Sequence, residues 1–385
     1  MSSKKSILTE PSIGISNNGR DNARGDLIVA VDDVFLDSSN DQYVVKKLLG
    51  YGQFGQVFEV EYQQRGNSSI SQRYAMKVSR SLSDYYFSSK KEAEILKQVC
   101  DFSRMNNMRV FQITNAQLAR VSNINDPVVS IHKSFEFFNH HCIILELLNI
   151  NILDAITARN YVGFPLHIVR EIYRDILKGL VLLESCGVVH ADIKPENILF
   201  TFQKSPVVKL IDFGISRYVA QIPTFYMQTR FYRAPEVVLE LDYDTKIDVW
   251  ASACVAVEIF LGMPIFPAYN EYHLIYLIEE MLGPFPDIMI NRTSRKNEFF
   301  NSNNRSYDLD YITHKWNIPQ DRVHKYYIYK YIDDLIMHYI NPSDDLSSDY
   351  DQMKVDFCDL IKKILVVNPN ERYSAMQALS HSFFN

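Results

Sequence analysis

A short polar cluster set between two apolar runs constrains this chain more than any other feature. Between Val189 and Leu199 the sequence reads VHADIKPENIL, so that Asp192 is followed by Lys194 and then by Asn197. Phosphoryl transfer needs such a set: a carboxylate to orient the attacking hydroxyl, a cation to steady the moving phosphate and an amide oxygen to ligate Mg²⁺. A lone His-x-Asp would be weak evidence, because buried His–Asp pairs are common in ordinary cores. The full run is more specific and favours a phosphotransferase.

A glycine-rich stretch upstream fits the same chemistry. Gly50, Gly52 and Gly55 recur at intervals that let a backbone hairpin close over a polyphosphate, where side chains would collide. An ordinary glycine turn and a dinucleotide site are alternative interpretations, and a dinucleotide site needs a helix directly after the glycines. Here Val57 opens a strand-like run instead, which favours the hairpin.

A lysine inside an apolar strand needs a partner. Tyr74–Val78 reads YAMKV, which places Lys77 within a strand, and a buried unpaired lysine is unfavourable. The helical run that follows offers Glu92 and Glu94. We choose Glu92, because the apolar residues three and four positions later share its helix face.

The rest of the chain alternates buried elements with polar connections. Runs at 128–131, 134–138 and 142–148 predict three strands, and residues 167–185 have the apolar spacing of a helix. Asp248–Leu261 is apolar nearly all round and predicts a buried helix. Residues 282–311, rich in Asn, Ser and Arg, predict a surface insertion. The long connection at 100–127 has no assignable role, and Arg372 is expected to pair with Glu236.

Composition excludes several classes of protein. The chain has 385 residues, is 47% hydrophobic and carries a net charge of -6, which argues against a nucleic-acid binder held by phosphate contacts. Its five cysteines form no C-x-x-C pair, so that a disulfide framework is not expected. The N-terminus lacks the apolar core of a signal peptide, and no apolar run reaches membrane-spanning length. We therefore expect a soluble protein of the cytoplasm, the nucleus or both, and a monomer.

The order of these motifs resembles that of the eukaryotic protein kinases, from about residue 25 to the end. The string YMQTRFYRAPE at 226–236 is similar to that of the dual-specificity tyrosine-regulated (DYRK) family of the CMGC group. The strings DNARGDLIV at 21–29 and YVVKKLLG at 43–50 resemble the Yak branch, whereas HAD at 190–192 is closer to the homeodomain-interacting kinases. The insertion at 282–311 matches the position of the CMGC insert.

The resemblance implies an α+β, bilobal fold with a small β-rich N-lobe and a larger, mainly helical C-lobe. It divides the chain into a flexible leader (1–25), a family-like extension (26–42), an N-lobe (43–148) and a C-lobe (149–385) that carries the insert. The implied cofactors are ATP and Mg²⁺, and the implied partners are protein substrates that present Ser or Thr, with proline favoured after the acceptor by Arg233.

The resemblance also assigns roles residue by residue. Asp192, Lys194 and Thr229 would act on the hydroxyl and the moving phosphate, and Lys77, held by Glu92, would contact the α- and β-phosphates. Asn197 and Asp212 would bind Mg²⁺. The remaining nucleotide contacts implied are Gly50, Gly52, Gly55, Val57, Ala75, Leu145, Glu146, Leu148 and Leu199.

Regulation is implied at Tyr226, which the kinase would phosphorylate on itself. Ala191 replaces the arginine that reads an activation-segment phosphate in many kinases, and Arg230 and Arg233 could bind it instead. The alternatives to an active dual-specificity kinase are a pseudokinase scaffold and an ATP-binding sensor. Scaffolds usually lose the strand lysine or one of the two aspartates, and all three are present here.

Overall fold

The computed structural model describes residues 6–65, 67–106, 126–202, 205–221, 227–319, 329–344 and 349–385, with the backbone alone at 67–71 and 106. The chain divides into two compact units. The described parts of residues 1–107, 128–149 and 212–215 form the first unit, and those of 108–127, 150–211 and 216–385 form the second. The implied nucleotide and phosphate contacts between Gly50 and Leu148 thus fall in the first unit. Leu199 falls in the second unit, together with residues 190–197, which we call the catalytic loop after the role that the resemblance gives them.

The first unit is built on an antiparallel sheet whose strands are β1 Val34–Leu36, β2 Gln42–Gly52, β3 Gly55–Gln64, β4 Asn67–Ser79, β5 Ile131–Phe137 and β6 His140–Glu146. They lie in the order β1-β2-β3-β4-β6-β5. Alternation along the strands buries Phe58, Met76 and Ile144 on one face, where they join the apolar core. Helix α1, Ser83–Asn106, packs beside β4, β5 and β6.

The three strands predicted between residues 128 and 148 are two in the structure, so this prediction was wrong in number. Phe138 and Asn139 both have positive φ, 47° and 68°, and form the tight turn that joins β5 to β6. The preceding run is not a strand of the sheet. Its Ser130 is instead bound at both backbone groups by Glu146, whose carboxylate accepts from the Ser130 amide at 2.6 Å.

Residues 6–25 differ from the flexible leader that the sequence predicted. The Leu8 amide donates to the Val29 carbonyl at 2.8 Å, and Thr9 and Asp21 are buried. Asp21 accepts from the ring of His140, which is itself fully buried in β6. The polar residues that suggested flexibility are therefore hydrogen-bonding partners of the sheet, and the prediction failed because composition alone does not reveal partners distant in sequence.

The second unit is mainly helical. Its centre is formed by α3, Leu166–Ser185, which is buried along one side, and by α5, Lys246–Leu261, in which every residue from Ile247 to Leu261 is buried. Gly262, with φ of 85°, ends α5 in the left-handed conformation that glycine adopts readily. The helices are α2 Ile152–Ala158, α3 Leu166–Ser185, α4 Pro235–Val238, α5 Lys246–Leu261, α6 Glu271–Leu282, α7 Asp287–Arg292, α8 Lys296–Phe299, α9 Leu309–Trp316, α10 Ile332–His338, α11 Tyr350–Ile364 and α12 Ala375–Leu379.

Two small antiparallel pairs of strands position the catalytic loop within this unit. Strand β7, Val188–Val189, pairs with β10, Arg217–Tyr218, and β8, Ile198–Phe200, pairs with β9, Val208–Leu210. The VHADIKPENIL motif runs from Val189 of β7, through the loop between the two strands, to Leu199 of β8.

The segment predicted as a surface insertion is folded and packed. It contains α7 and α8, and it buries Met289, Ile290, Phe299 and Phe300. Phe300 lies edge-on to Phe285, with ring centroids 5.3 Å apart. The polar residues of this segment obscured the few apolar ones that anchor it.

Candidate active site

The first unit holds a group of three charged side chains, of which Glu92 is buried and Lys77 and Asp212 are partly buried. Lys77 Nζ lies 2.7 and 2.8 Å from the two carboxylate oxygens of Glu92, and 2.8 Å from Oδ1 of Asp212. Burial alone would lower the pKa of Lys77, but the two carboxylates outweigh this effect and raise its pKa above the ordinary value. Lys77 is therefore a fixed cation that two acidic side chains orient.

The secondary structure explains why these three residues meet. Lys77 lies in β4 and Glu92 in α1, which packs beside that strand; Glu94 is exposed, as the choice of Glu92 over Glu94 expected. Asp212 has a φ of 62°, and the following Phe213 is buried. Ser88 of α1 donates to the Gly214 carbonyl at 2.9 Å, so that the Asp-Phe-Gly segment is bound to the same helix as Glu92.

Other predicted nucleotide contacts share one face of the sheet with Lys77. Val57 is paired with Lys77 across β3 and β4, and Ala75 is paired with Leu145 across β4 and β6. Because Ala75 and Lys77 are two residues apart on one strand, all four side chains point to the same side. Val57 and Leu145 are half-buried there, which suits an apolar surface for a flat ring.

The glycines of the hairpin have different surroundings. A Cβ at Gly50 or Gly52 would meet no atom within 4 Å, whereas one at Gly55 would lie 2.0 Å from the Val78 carbonyl oxygen. Gly55 is therefore required for the close packing of β3 against β4. Gly50 and Gly52 instead leave empty space beside the hairpin backbone. Glu146 ends β6, and Leu148 follows it, half-buried.

The second unit brings the polar residues of the catalytic loop together. Asp192 Oδ1 accepts from the Thr229 hydroxyl at 2.7 Å, and Oδ2 lies 2.6 Å from Lys194 Nζ. Lys194 Nζ also lies 3.4 Å from the Thr229 oxygen. The Asn197 amide nitrogen donates to the backbone oxygen and to Oδ2 of Asp192, both at 2.9 Å. Asp192 is thus held at both oxygens in one orientation.

Local structure places these side chains. The turn Pro195–Asn197 begins with proline and folds the chain back, so that Asn197 returns to Asp192. The loop is fixed from α5, where the buried carboxylate of Asp248 accepts from the amides of His190 and Ala191 at 2.6 and 2.9 Å. Burial raises the pKa of Asp248 to about 7, and these two hydrogen bonds oppose the shift.

The predicted regulatory arginines make contacts of their own. Arg230 donates to the Tyr269 carbonyl at 2.6 Å, while Arg233 is buried against the Gln228 carbonyl and the Glu271 carboxylate. Tyr226 lies outside the described residues. Leu199, also in this unit, is half-buried in β8 and forms a β-bridge with Asn151.

Sequence reasoning missed a cavity beside Thr229 in the second unit. It has a volume of about 650 Å³, and its lining includes Glu196, Tyr232 and Glu258 together with apolar residues. Glu258 accepts from the Tyr232 hydroxyl at 2.8 Å, and burial raises its pKa to about 7. The sequence did contain a sign of this site, namely Glu258 itself. A glutamate within a mainly apolar, buried helix is unfavourable unless it has a hydrogen-bonding partner.

The described residues provide neither a membrane-spanning helix nor a cluster of metal ligands. In the described ranges, no helix has the length and apolar character needed to cross a membrane. Within the same residues, no cluster of three or more His, Cys, Asp and Glu side chains could hold a metal ion.

A bilobal fold that carries a paired strand lysine and a catalytic loop of this geometry is that of a protein kinase. The family profile described as protein kinase domain matches residues 43–384, and the chain belongs to this family. Within it, the chain groups with the DYRK and Yak kinases of the CMGC group.

Individual relatives support the grouping. The chain is 31% identical over 98% of its length to "Dual specificity protein kinase YAK1" of Saccharomyces cerevisiae, and 30% identical over 98% of its length to "Serine/threonine-protein kinase ppk15" of Schizosaccharomyces pombe. It is also 31% identical over 96% of its length to "Homeodomain-interacting protein kinase 1" of Caenorhabditis elegans. The chain spans 46%, 68% and 43% of these three relatives.

Proposed function

We propose that this chain transfers the γ-phosphate of ATP to serine and threonine hydroxyls of proteins, and to its own Tyr226. The observation that carries the proposal is the orientation of Asp192 by Thr229, Lys194 and Asn197. A carboxylate held in this way can accept the proton of an attacking hydroxyl, and a lysine beside it can stabilise the charge of the moving phosphate. Lys194 and Thr229 favour serine and threonine as acceptors.

We assign the contacts with ATP to separate groups of residues. Lys77 would bind the α- and β-phosphates, with Glu92 keeping its amine in place. Val57, Ala75, Leu145 and Leu199 would contact the adenine ring, and the backbone of Glu146 and Leu148 would bind its edge. Most of the rate enhancement would come from positioning and from charge stabilisation, because phosphoryl transfer requires little covalent chemistry from the protein.

The residues assigned to Mg²⁺ have suitable chemistry. Asn197 uses its amide nitrogen for both hydrogen bonds to Asp192, so that its oxygen is the atom available as a ligand. Asp212 adds a carboxylate, and magnesium prefers oxygen ligands of these kinds. When bound, the metal would neutralise phosphate charge.

A preference for proline after the acceptor residue is supported by Arg233. Its Nε and Nη2 atoms donate to the Gln228 carbonyl at 3.3 and 2.8 Å, and Gln228 has a φ of 65°. A carbonyl that already accepts twice is a poor partner for the amide of an incoming residue. Proline lacks that amide and loses nothing, whereas other residues would lose a hydrogen bond to water.

The cavity beside Thr229 could bind a basic side chain of the substrate. Glu196 and Glu258 both line it, close to Thr229. A guanidinium group could pair with the two carboxylates, and its apolar stem would suit the rest of the lining. We therefore propose that substrates present an arginine near the acceptor.

Dual specificity is supported by the name of the S. cerevisiae relative, a dual specificity protein kinase, and by the positions of Arg230 and Arg233 after Tyr226. Both arginines have partners in the structure, so a phosphate on Tyr226 would have to share or displace them. Localisation in the cytoplasm, the nucleus or both, and the monomeric state, stay predictions from the sequence.

The proposal is tested with protein produced in a bacterial host. Peptides that differ only in Ser, Thr or Tyr at the acceptor position are incubated with Mg-ATP, and intact and digested protein is analysed by mass spectrometry. We expect phosphate on the Ser and Thr peptides, and on Tyr226 of the wild type but not of Asp192→Asn. Nucleotide binding without transfer would indicate a scaffold, and slow release of ADP without peptide phosphate would indicate a sensor.

A further inference from the structure

The side chain that would select proline is itself part of a longer chain of ion pairs. Arg233 is buried, and besides its contacts with Gln228 its Nη1 atom lies 2.7 Å from Oε1 of Glu271. Glu271 is the first residue of α6, 38 positions away in sequence. A buried guanidinium depends on such a counter-ion, because without one its desolvation is uncompensated.

Glu271 is held in turn by a second arginine. Its Oε2 atom lies 3.0 Å from Nη2 of Arg295, which comes from the insert directly before α8. Each oxygen of this carboxylate therefore binds a different arginine. The position of Glu271 between them is fixed by charge from both sides.

Arg295 is in turn fixed within the insert and to the end of α4. It donates to the Val238 carbonyl at 2.7 Å and to both oxygens of Glu298 at 2.8 and 2.7 Å. Its guanidinium also lies over the Phe299 ring, 4.4 Å from the centroid. Charge-assisted, two-point contacts of this kind hold a planar guanidinium in a single orientation.

We infer that Glu271 and Arg295 are positioning residues for substrate selection: they hold Arg233 on the Gln228 carbonyl, and so make the kinase select proline after the acceptor residue. The inference rests on the proposed function and extends it to the insert, which the sequence left without a role. If Glu271 loses its charge, Arg233 loses the partner that fixes it beside Gln228. The Gln228 carbonyl can then accept the amide of a residue other than proline.

The test uses three serine peptides that are identical except at the residue after serine, which is proline, alanine or N-methylalanine. N-methylalanine lacks the amide hydrogen, as proline does, but has no ring. The values of kcat/KM are measured for the wild type, Glu271→Gln and Arg295→Gln. The control is Glu279→Gln, because Glu279 is a buried carboxylate on the same helix that pairs with Arg305 and lies outside the Arg233 contacts.

We expect the wild type and the control to prefer proline and N-methylalanine over alanine. In Glu271→Gln the proline-to-alanine ratio should fall by about fivefold or more, which is the effect of one hydrogen bond in a transition-state comparison. Arg295→Gln should lower the ratio in the same direction by a smaller factor. It keeps the Arg233–Glu271 pair and carries the test alone if Glu271→Gln does not fold.

General structural damage would lower kcat/KM for all three peptides and leave their ratio unchanged. An unchanged ratio in folded Glu271→Gln and Arg295→Gln, with a selective wild type, overturns this inference and leaves the proposed function intact. A wild type that phosphorylates all three peptides equally overturns it as well, because there is then no selection to support. A wild type that phosphorylates none refutes the proposed function itself.

Discussion

Arg372 and Glu236 form a two-point ion pair in which both side chains are buried. Nη1 lies 2.6 Å from Oε1, and Nη2 lies 2.9 Å from Oε2. Arg372 also donates to the carbonyls of Lys246 and Val366. The pair joins the Ala-Pro-Glu motif in α4 to the last part of the chain, and it was expected from the sequence.

Removing one member of this pair should destabilise the protein strongly. We expect Arg372→Met to lower the free energy of unfolding by about 3–5 kcal/mol, because the Glu236 carboxylate would be left buried and unpaired. Urea denaturation measures the change. The control is the neighbouring Glu371→Gln, an exposed position where the change should stay within about 0.5 kcal/mol. A loss below about 1 kcal/mol in Arg372→Met would contradict the structural role.

Alanine at two glycines of the hairpin should have different effects, one on stability and the other on ATP binding. Gly55→Ala should lower the melting temperature, because its Cβ would lie 2.0 Å from the Val78 carbonyl oxygen and Gly55 has a φ of 149°. Gly52→Ala should leave the melting temperature unchanged, since no atom lies within 4 Å, and should instead raise KM for ATP. Differential scanning fluorimetry of both variants measures the melting temperatures, and initial rates at varied ATP concentration measure KM. Equal melting temperatures for the two would refute the assignment of Gly55.

Mg-ATP should stabilise the folded protein by mass action. At a concentration of about 100 times Kd the expected gain is about 2.7 kcal/mol, seen as a higher melting temperature. EDTA should largely cancel the gain, and Asn197→Ala should reduce it, if the Asn197 oxygen is a metal ligand. A shift that is the same with and without metal would exclude this role for Asn197.

The stability of the protein should depend on pH through Glu258. Burial raises the pKa of Glu258 from 4.5 to about 7, so the folded state favours the protonated form. This contribution is present in full below pH 4.5 and is lost as the pH rises to about 7. Relative to Glu258→Gln, the wild type should therefore lose stability across that window, by an amount on the order of 3 kcal/mol. Melting curves from pH 4.5 to 8 measure it, with the exposed Glu371→Gln as control. A wild-type difference that is constant with pH would contradict the shift.

The contacts that the sequence predicted well are those between residues whose chemistry demands a partner and whose spacing in the chain identifies it. Lys77 required an acidic partner, and the helical periodicity was sufficient to select Glu92 over Glu94. The catalytic loop was predicted for the same reason, since its Asp, Lys and Asn are spaced closely enough for the turn at Pro195 to bring them together. Such local relations do not depend on knowledge of distant contacts.

The parts that the sequence did not predict depend on contacts between distant segments. Asp21 lies 119 positions from His140, and nothing near either residue indicates the other. The Arg233–Glu271–Arg295 chain likewise joins three segments that are distant in sequence, and nothing near any one of them indicates the other two. Glu258 was visible as an interruption of an apolar helix, but its cavity is formed by side chains from several elements and could not be predicted from α5 alone.

The most direct test of the account is the rate of γ-phosphate transfer from Mg-ATP to a serine peptide by Asp192→Asn and by the wild type. We predict a measurable wild-type rate and a decrease in the variant of about 10²–10⁴-fold, which is the usual contribution of a positioned acid–base group. The melting temperature and its increase with Mg-ATP should be retained, because Asp192 is assigned to the acceptor hydroxyl. A variant within about threefold of the wild type, which corresponds to under about 1 kcal/mol of barrier, would contradict the account.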